Sequence, residues 1–258
     1  MASDKENSPE PAQRTVDEKG NVQVILASTS PSRLSILRSA GVEPTVIASG
    51  VDEDAVVERL QEAVGKPTPH QVVAALAEAK AKAVIAELEA GRGADKVAAQ
   101  PEAAVLIGGD SMLLIDGELQ GKPHTAGETV KRWRNQRGKT AELLTGHAVF
   151  HRSTSRAGVR DTGAGTPEAQ EVWEAEPYVE VSTTRITFAQ ATDADITAYA
   201  TTGEPFGCAG AFTLEALGGW FIDRIEGDPS SVIGLSLPVV RRALAHFGYP
   251  ASATWNRS

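Results

Sequence analysis

Ile25-Leu26-Ala27-Ser28-Thr29-Ser30-Pro31-Ser32-Arg33 is the stretch whose reading decides the fold of this chain. An apolar run leads straight into a hydroxyl-rich turn, and the turn opens a helix. Ser30 is a favourable N-cap, and Pro31 stands at the first helical position, where proline costs least. Leu34 and Leu37 repeat at the spacing of one buried helix face, and Gly41 closes the segment. Strand, capped turn and helix in this order belong to an α/β architecture. The backbone N–H groups at such a helix start, flanked by Ser28, Ser30 and Arg33, form a ready site for an anion such as phosphate. Capping accounts for the same residues with no ligand, so this segment alone leaves both readings open.

Outward from it, residues 22–27 read as a buried strand and 31–40 as the first helix. Residues 44–48 read as a second strand, followed by the acidic turn Val51-Asp52-Glu53-Asp54. A long alanine-rich helix spans 68–90, begun at Thr68 or Pro69 and ended by Gly91. Residues 103–107 read as a central strand and 111–115 as another, with Asp116-Gly117 as a hairpin signal. A helix over 126–136 and a strand over 142–151 follow. Residues 152–177, rich in Gly, Ser, Thr, Ala and Glu with little periodicity, read as a mobile insertion between two strands. Residues 179–188 alternate as a strand. Thr192-Asp193-Ala194-Asp195 resembles a capping box opening a helix to about 201. A strand over 220–225 and a helix over 236–247, ended by Gly248 and Pro250, complete the order. At least one hairpin among alternating strands and helices predicts a mixed sheet. The domain expectation is a disordered tail over 1–20, one α/β domain over 21–250, and a C-terminal tail over 251–258.

The chain of 258 residues carries a formal charge of −9, with 41% hydrophobic and 23% charged residues. That balance is ordinary for a soluble protein and argues against a general nucleic-acid or membrane-surface binder. A single cysteine, Cys208, rules out an intramolecular disulfide and fits a reducing compartment. With Gly207 and Ala209 beside it, Cys208 reads as a small buried residue rather than a nucleophile. The first 20 residues carry no apolar run, so they read as neither a signal peptide nor an anchor, and a cytoplasmic location is expected.

Five further features carry chemistry. Asp110 ends the apolar run Val105-Leu106-Ile107-Gly108-Gly109-Asp110-Ser111, which places a carboxylate at a strand end, where catalytic residues often lie and where turn aspartates also lie. Lys122, in Gly121-Lys122-Pro123, is held on a rigid loop, a good mount for a phosphate-binding cation. Lys80 and Lys82 stand two apart on the long helix, so they face different directions and only one reaches a site. Asp52, Glu53 and Asp54 offer the carboxylate oxygens that hard divalent cations prefer. Gly227-Asp228-Pro229-Ser230-Ser231-Val232-Ile233-Gly234-Leu235 offers backbone N–H groups to a phosphate. No Gly-x-x-x-x-Gly-Lys-Ser/Thr run is found, which disfavours a P-loop NTPase.

Taken in order, these pieces, together with Thr145-Gly146, Gly203-Glu204-Pro205 and Ala209-Gly210-Ala211-Phe212, resemble the Maf family of nucleoside triphosphate pyrophosphatases. The resemblance runs from the first strand to the last helix. It implies an α/β fold with an elongated, mixed, twisted sheet, similar to inosine triphosphate pyrophosphatases, and a deep groove between two lobes. It implies hydrolysis of non-standard or modified nucleoside triphosphates to the monophosphate and pyrophosphate, with Mg²⁺ or Mn²⁺ as cofactor. By motif position, the general base falls on Asp110, the acidic site residue on Glu53, and the phosphate-binding cations on Arg33, Lys80 and Lys122, beside Ser28 and Ser30. Asp110 and Glu53 are also the candidate metal ligands, and whether Asp110 acts as base or ligand stays open. A homodimer is the assembly that the resemblance implies, with no nucleic-acid or membrane partner. A non-catalytic nucleotide-binding regulator linked to cell division is the alternative.

Two departures stand out. Many members carry two arginines after the proline, whereas here Ser32 precedes Arg33. Members resembling the thymidine and uridine triphosphate enzymes carry glutamine where this chain has Glu215. The run from Cys208 to Glu215 looks more like the branch that hydrolyses 7-methylguanosine triphosphate, with Glu215 accepting hydrogen bonds from the base.

Overall fold

The computed structural model describes residues 22–92, 103–155 and 170–256. The expected tail over 1–20 lies outside them, as do 156–169 of the expected insertion. Among the described residues the chain forms eight strands and seven α-helices. In chain order they are β1 (Gln23–Ala27), α1 (Pro31–Ser39), β2 (Thr45–Val46), α2 (Glu53–Val64), α3 (Pro69–Glu89), β3 (Ala103–Ile115), β4 (Glu118–Gln120) and α4 (Ala126–Gln136). There follow β5 (Thr140–Ser155), β6 (Gln170–Trp173), β7 (Tyr178–Phe188), α5 (Asp193–Thr201), β8 (Ile222–Glu226), α6 (Pro229–Ile233) and α7 (Leu237–His246).

The strands form one mixed sheet in the order β2-β1-β3-β5-β7-β8, with β4 on β3 and β6 on β5. β1 runs parallel to both β2 and β3, as a strand followed by a crossover helix must, and every other pair is antiparallel. Asp116 and Gly117 have φ of 52° and 83°, the double positive φ of a two-residue hairpin, and they join β3 to β4.

Several expectations are corrected. β3 is one strand of 13 residues, so Gly108-Gly109 interrupt nothing and Asp110 lies inside the strand rather than at its end. The acidic turn is the start of α2: Asp52 caps it by accepting from Ala55 N at 3.1 Å, and Glu53 and Asp54 occupy the first turn, where negative charge is favoured. β2 has two residues only. Both ends of the expected insertion are sheet: 152–155 continue β5, and β6 returns antiparallel to them. The C-terminal tail is docked. Val22 N donates to Ala253 O at 2.8 Å, Asn256 N donates to Gly41 O at 2.6 Å, and Ala253 is buried.

β3 contributes to three hydrophobic cores. Its first half supplies Val105 and Ile107 to a core with Leu26, Leu37, Val240 and Leu244, and Leu106 to another beneath α3. Its second half supplies Leu113 and Ile115 to a core around Trp133 of α4. The Trp133 indole stands edge-on to Phe188 and Phe221, both at 5.5 Å, and its Nε1–H donates to Ala211 O at 2.7 Å, so its polar edge is satisfied while its rings are buried. Pairing with β1 stops at Gly108, and pairing with β4 begins at Leu113. Residues 109–112 therefore have no strand neighbour on that side, and this gap lies between the cores served by the two halves of β3.

Candidate active site

The gap beside β3 is where the chemistry-bearing side chains meet. A period of two along the strand sends Gly108 and Asp110 toward α3, and Gly109 and Ser111 toward α1. Gly108 and Gly146, the latter paired with Asp110, let α3 lie directly on the sheet. A Cβ on Gly108 would stand 2.2 Å from Ala77 O, and one on Gly146 2.3 Å from Val73 O. Lys80, on this closely packed part of α3, then reaches Asp110: Nζ lies 2.6 Å from Oδ1 and 2.7 Å from Glu53 Oε1. Lys80 and Asp110 are both buried, whereas Glu53 is about half exposed. Burial disfavours ionisation of Glu53. The hydrogen bond from Lys80 and the charges of Lys80, Lys122 and Arg33 outweigh that, and its carboxyl sits below the usual range. Lys82 pairs with Glu78 on the surface at 2.6 Å, so only Lys80 of the two reaches the site.

On the other face Arg33 is buried and fully directed. Its Nε donates to Gly234 O at 2.8 Å, Nη1 to Ser28 Oγ at 3.1 Å, and Nη2 to Ser111 Oγ at 3.2 Å. Gly109 leaves room for it, since a Cβ there would meet Arg33 Nε at 3.3 Å. Burial lowers the Arg33 pKa while Asp110 and Glu53 raise it, and a guanidinium keeps its proton regardless. Ser111 Oγ lies 3.1 Å from Thr145 Oγ1, which donates to Ser231 O at 2.9 Å, so the Arg33 fork is braced across β3 and β5 to α6. Ser111 and Thr145 are site residues that the sequence reading left without a role, and Gly234 takes a different one from the N–H donor expected of it. The period-two alternation from Gly109 to Ser111 was the signal for the first of them.

The turn that opens α1 is partly committed to its own geometry. Ser30 caps the helix at Arg33 N, 3.5 Å away, and Ser28 Oγ accepts from Ser30 N at 3.2 Å besides Arg33. The run 227–235 behaves likewise: Asp228 Oδ1 accepts from Ser230 N at 2.9 Å and from Ser230 Oγ at 2.7 Å, and Gly234 supplies a carbonyl to Arg33 rather than an N–H to a ligand.

Lys122 is exposed, has no ion pair among the described residues, and acts electrostatically on Glu53. Its loop is anchored at Gly121 O, which accepts from Arg132 Nη1 at 2.5 Å and Gly210 N at 3.3 Å, and at His124 N, which donates to Phe206 O at 3.2 Å. Glu215 faces the start of α1. Its Oε1 accepts from Ser32 Oγ at 2.9 Å and its Oε2 from Leu214 N at 3.1 Å. Cys208 is partly buried rather than fully so. Burial, then the charge of Glu215, pushes its thiol up to about 11, which rules it out as a thiolate nucleophile near neutrality.

Three cations and two carboxylates from five separate segments thus act on one another around a single gap, an arrangement suited to a polyanion. The chain belongs to the Maf family: the model described as Maf-like protein matches residues 23–247. It is 56% identical over 237 residues to a nucleoside triphosphate pyrophosphatase of Corynebacterium diphtheriae, covering 92% of this chain and all of that one. Proteins of the same name from Corynebacterium efficiens and Rhodococcus opacus are 53% and 49% identical, covering 92% and 91% of this chain and 100% and 96% of theirs.

Proposed function

We propose that this protein hydrolyses non-standard or modified nucleoside triphosphates to the monophosphate and pyrophosphate, clearing them from the nucleotide pool. The observation that carries the reading is the Lys80 ammonium held between Asp110 and Glu53, with Arg33 acting on both carboxylates and Lys122 on Glu53. Arg33 and Lys122 meet the phosphoryl oxygens on which charge builds as the reaction proceeds. Asp110 orients a water and takes its proton as the oxygen bonds to the α-phosphorus, and the bond from that phosphorus to the bridging oxygen breaks to release pyrophosphate. Lys80 fixes the Asp110 carboxylate by one oxygen and leaves the other directed at the water.

The carboxylates suit a divalent cation. Asp110 Oδ2 and Glu53 Oε2 accept no hydrogen bond among the described residues. No group of three or more candidate ligands occurs there either, so the remaining ligands are phosphate oxygens and water, the habit of Mg²⁺ and Mn²⁺. Glu53 and Asp110 would hold it, Asp110 then serving as ligand in place of base, and it would supply charge neutralisation and a more acidic water. Glu215 reads the base, and an acceptor-only carboxylate matches the donor edge of 7-methylguanine better than that of uracil or thymine. A cytoplasmic setting, a homodimer and the lack of a nucleic-acid partner belong to the same proposal. The net charge of −9 supports the last of these. No helix among the described residues is long and apolar enough to cross a membrane.

The test is a panel of 7-methyl-GTP, GTP, UTP and dTTP with Mg²⁺ or Mn²⁺ in oxygen-18 water. The expected products are labelled monophosphate and unlabelled pyrophosphate, lost in Asp110→Asn. Nucleotide binding without turnover would leave the non-catalytic regulator standing, and a preference for dTTP would overturn the assignment of the base.

A further inference from the structure

Glu204 stands outside the cluster of cations and carboxylates, yet its side chain accepts four hydrogen bonds. Oε1 receives the Thr213 hydroxyl, Tyr199 Oη at 3.2 Å and Gly218 N at 3.0 Å, and Oε2 receives Leu217 N at 3.2 Å. Tyr199 Oη in turn accepts from Thr213 N at 3.3 Å. The loop 213–219 closes tightly on this carboxylate. A Cβ on Gly218 would stand 2.5 Å from Thr213 O, and one on Gly219 2.6 Å from Leu214 O. Glu215 rides on the same loop and touches Ser32, the neighbour of Arg33 in the first turn of α1.

We propose that Glu204 is a positioning residue for substrate choice: it shapes the 213–219 loop so that Glu215 meets the base while Arg33 holds the phosphate end. This rests on the reading of Glu215 as the base contact. Only donors converge on Glu204, so an amide in its place turns an NH₂ group against them. Burial resists its ionisation, but the bonds from Thr213, Gly218 and Leu217 prevail and keep its carboxyl below the ordinary range. The consequence is specific. Loosening the loop blurs discrimination between bases and leaves the grip on the triphosphate intact.

The experiment compares Glu204→Gln and Tyr199→Phe with the unaltered enzyme, and with Glu215→Ala as a reference. Two quantities are read: the ratio of kcat/KM between the best and worst of 7-methyl-GTP, GTP, UTP and dTTP, and the Ki of inorganic tripolyphosphate, which reports the phosphate end alone. Glu204→Gln lowers the ratio about tenfold, the scale of losing one hydrogen bond to a charged group, and leaves the tripolyphosphate Ki within about twofold. Tyr199→Phe acts in the same direction but less, and it carries the test if Glu204→Gln fails to fold. An unchanged ratio in both variants, while Glu215→Ala collapses it, overturns the role of Glu204. A ratio and a Ki that move together overturn it as well, because they mark a general loss of structure. An unchanged ratio in Glu215→Ala removes the base contact on which the role depends.

Discussion

Gly108→Ala tests how the packing of one helix controls the chemistry. The added Cβ would lie 2.2 Å from Ala77 O, 2.9 Å from Ala81 Cβ and 3.0 Å from Ala81 N. Two of these three are backbone atoms of α3, so no side-chain rotation relieves them. Ordinary carbon contacts lie at about 3.5 Å or more, so the helix must retreat by roughly 1 Å. Overpacking of this kind costs about 1–3 kcal/mol. Removing a glycine from a strand returns roughly 0.5–1 kcal/mol, leaving a net loss of about 1–2 kcal/mol. At a urea m-value of about 2–3 kcal/mol/M the midpoint falls by roughly 0.5 M. Lys80 stands on the turn that retreats, and its ammonium withdraws from Asp110. A misplacement of about 1 Å in such a site costs on the order of 10²-fold in kcat. Gly127→Ala, at a helical position where an added Cβ meets nothing within 4 Å, is the control: it keeps kcat and its midpoint does not fall. Urea unfolding and steady-state hydrolysis are measured on the same preparations. A lowered midpoint with an unchanged kcat would refute the link between helix packing and the site, and an unchanged midpoint would refute the close approach itself.

The remaining predictions concern the charged groups. Lys80→Met strips Asp110 and Glu53 of their shared cation and destabilises by about 3 kcal/mol, and the double variant with Asp110→Asn loses less than the sum of the two single changes. Additive losses in urea unfolding would show that the pair is not coupled. Arg33→Lys forfeits a fork directed at Gly234, Ser28 and Ser111, so the KM for the triphosphate rises about tenfold or more, and a KM within twofold of the original would mean that a point charge suffices. Burial, followed by the charge of Arg33, holds His147 down at about 4 from 6.5. The unfolded chain takes up a proton near 6.5 and the folded chain only near 4, so stability contributed above pH 6.5 is lost as the pH falls across that window. The loss amounts to about 3 kcal/mol. His147→Gln, which keeps an acceptor for Ser236 N, flattens that acid limb in unfolding measured from pH 7 to 4, and an unaltered limb would assign it to other groups.

Where local rules dominate, the chain is readable from its residues. Ser30 and Pro31 announce α1, Thr68 and Pro69 announce α3, and Asp116-Gly117 announces the hairpin, because each depends on neighbours within a few positions. Gly108 and Gly109 mislead for the opposite reason. They look like a strand end, but they accommodate Ala77 and Arg33, partners that only the folded chain brings near. The helix α2 was hidden by its own cap: Asp52-Glu53-Asp54 reads as a turn, although Val56, Leu60 and Val64 follow at helical spacing. The meeting of Lys80, Glu53 and Asp110 has no trace in any spacing, and only the family resemblance joined these residues into one site. The brace from Ser111 through Thr145 to Ser231 escaped both routes, since hydroxyls of this kind are common in strands and carry no distinctive pattern.

β4 has only three residues, although a longer ladder would bind its partner more firmly. Two more residues on β4 would pair Gly121 with Met112 and Lys122 with Ser111 and close part of the opening with backbone bonds. The hairpin is thus a ruler. Its brevity keeps the doorway open and keeps Lys122 on a loop rather than in the ladder.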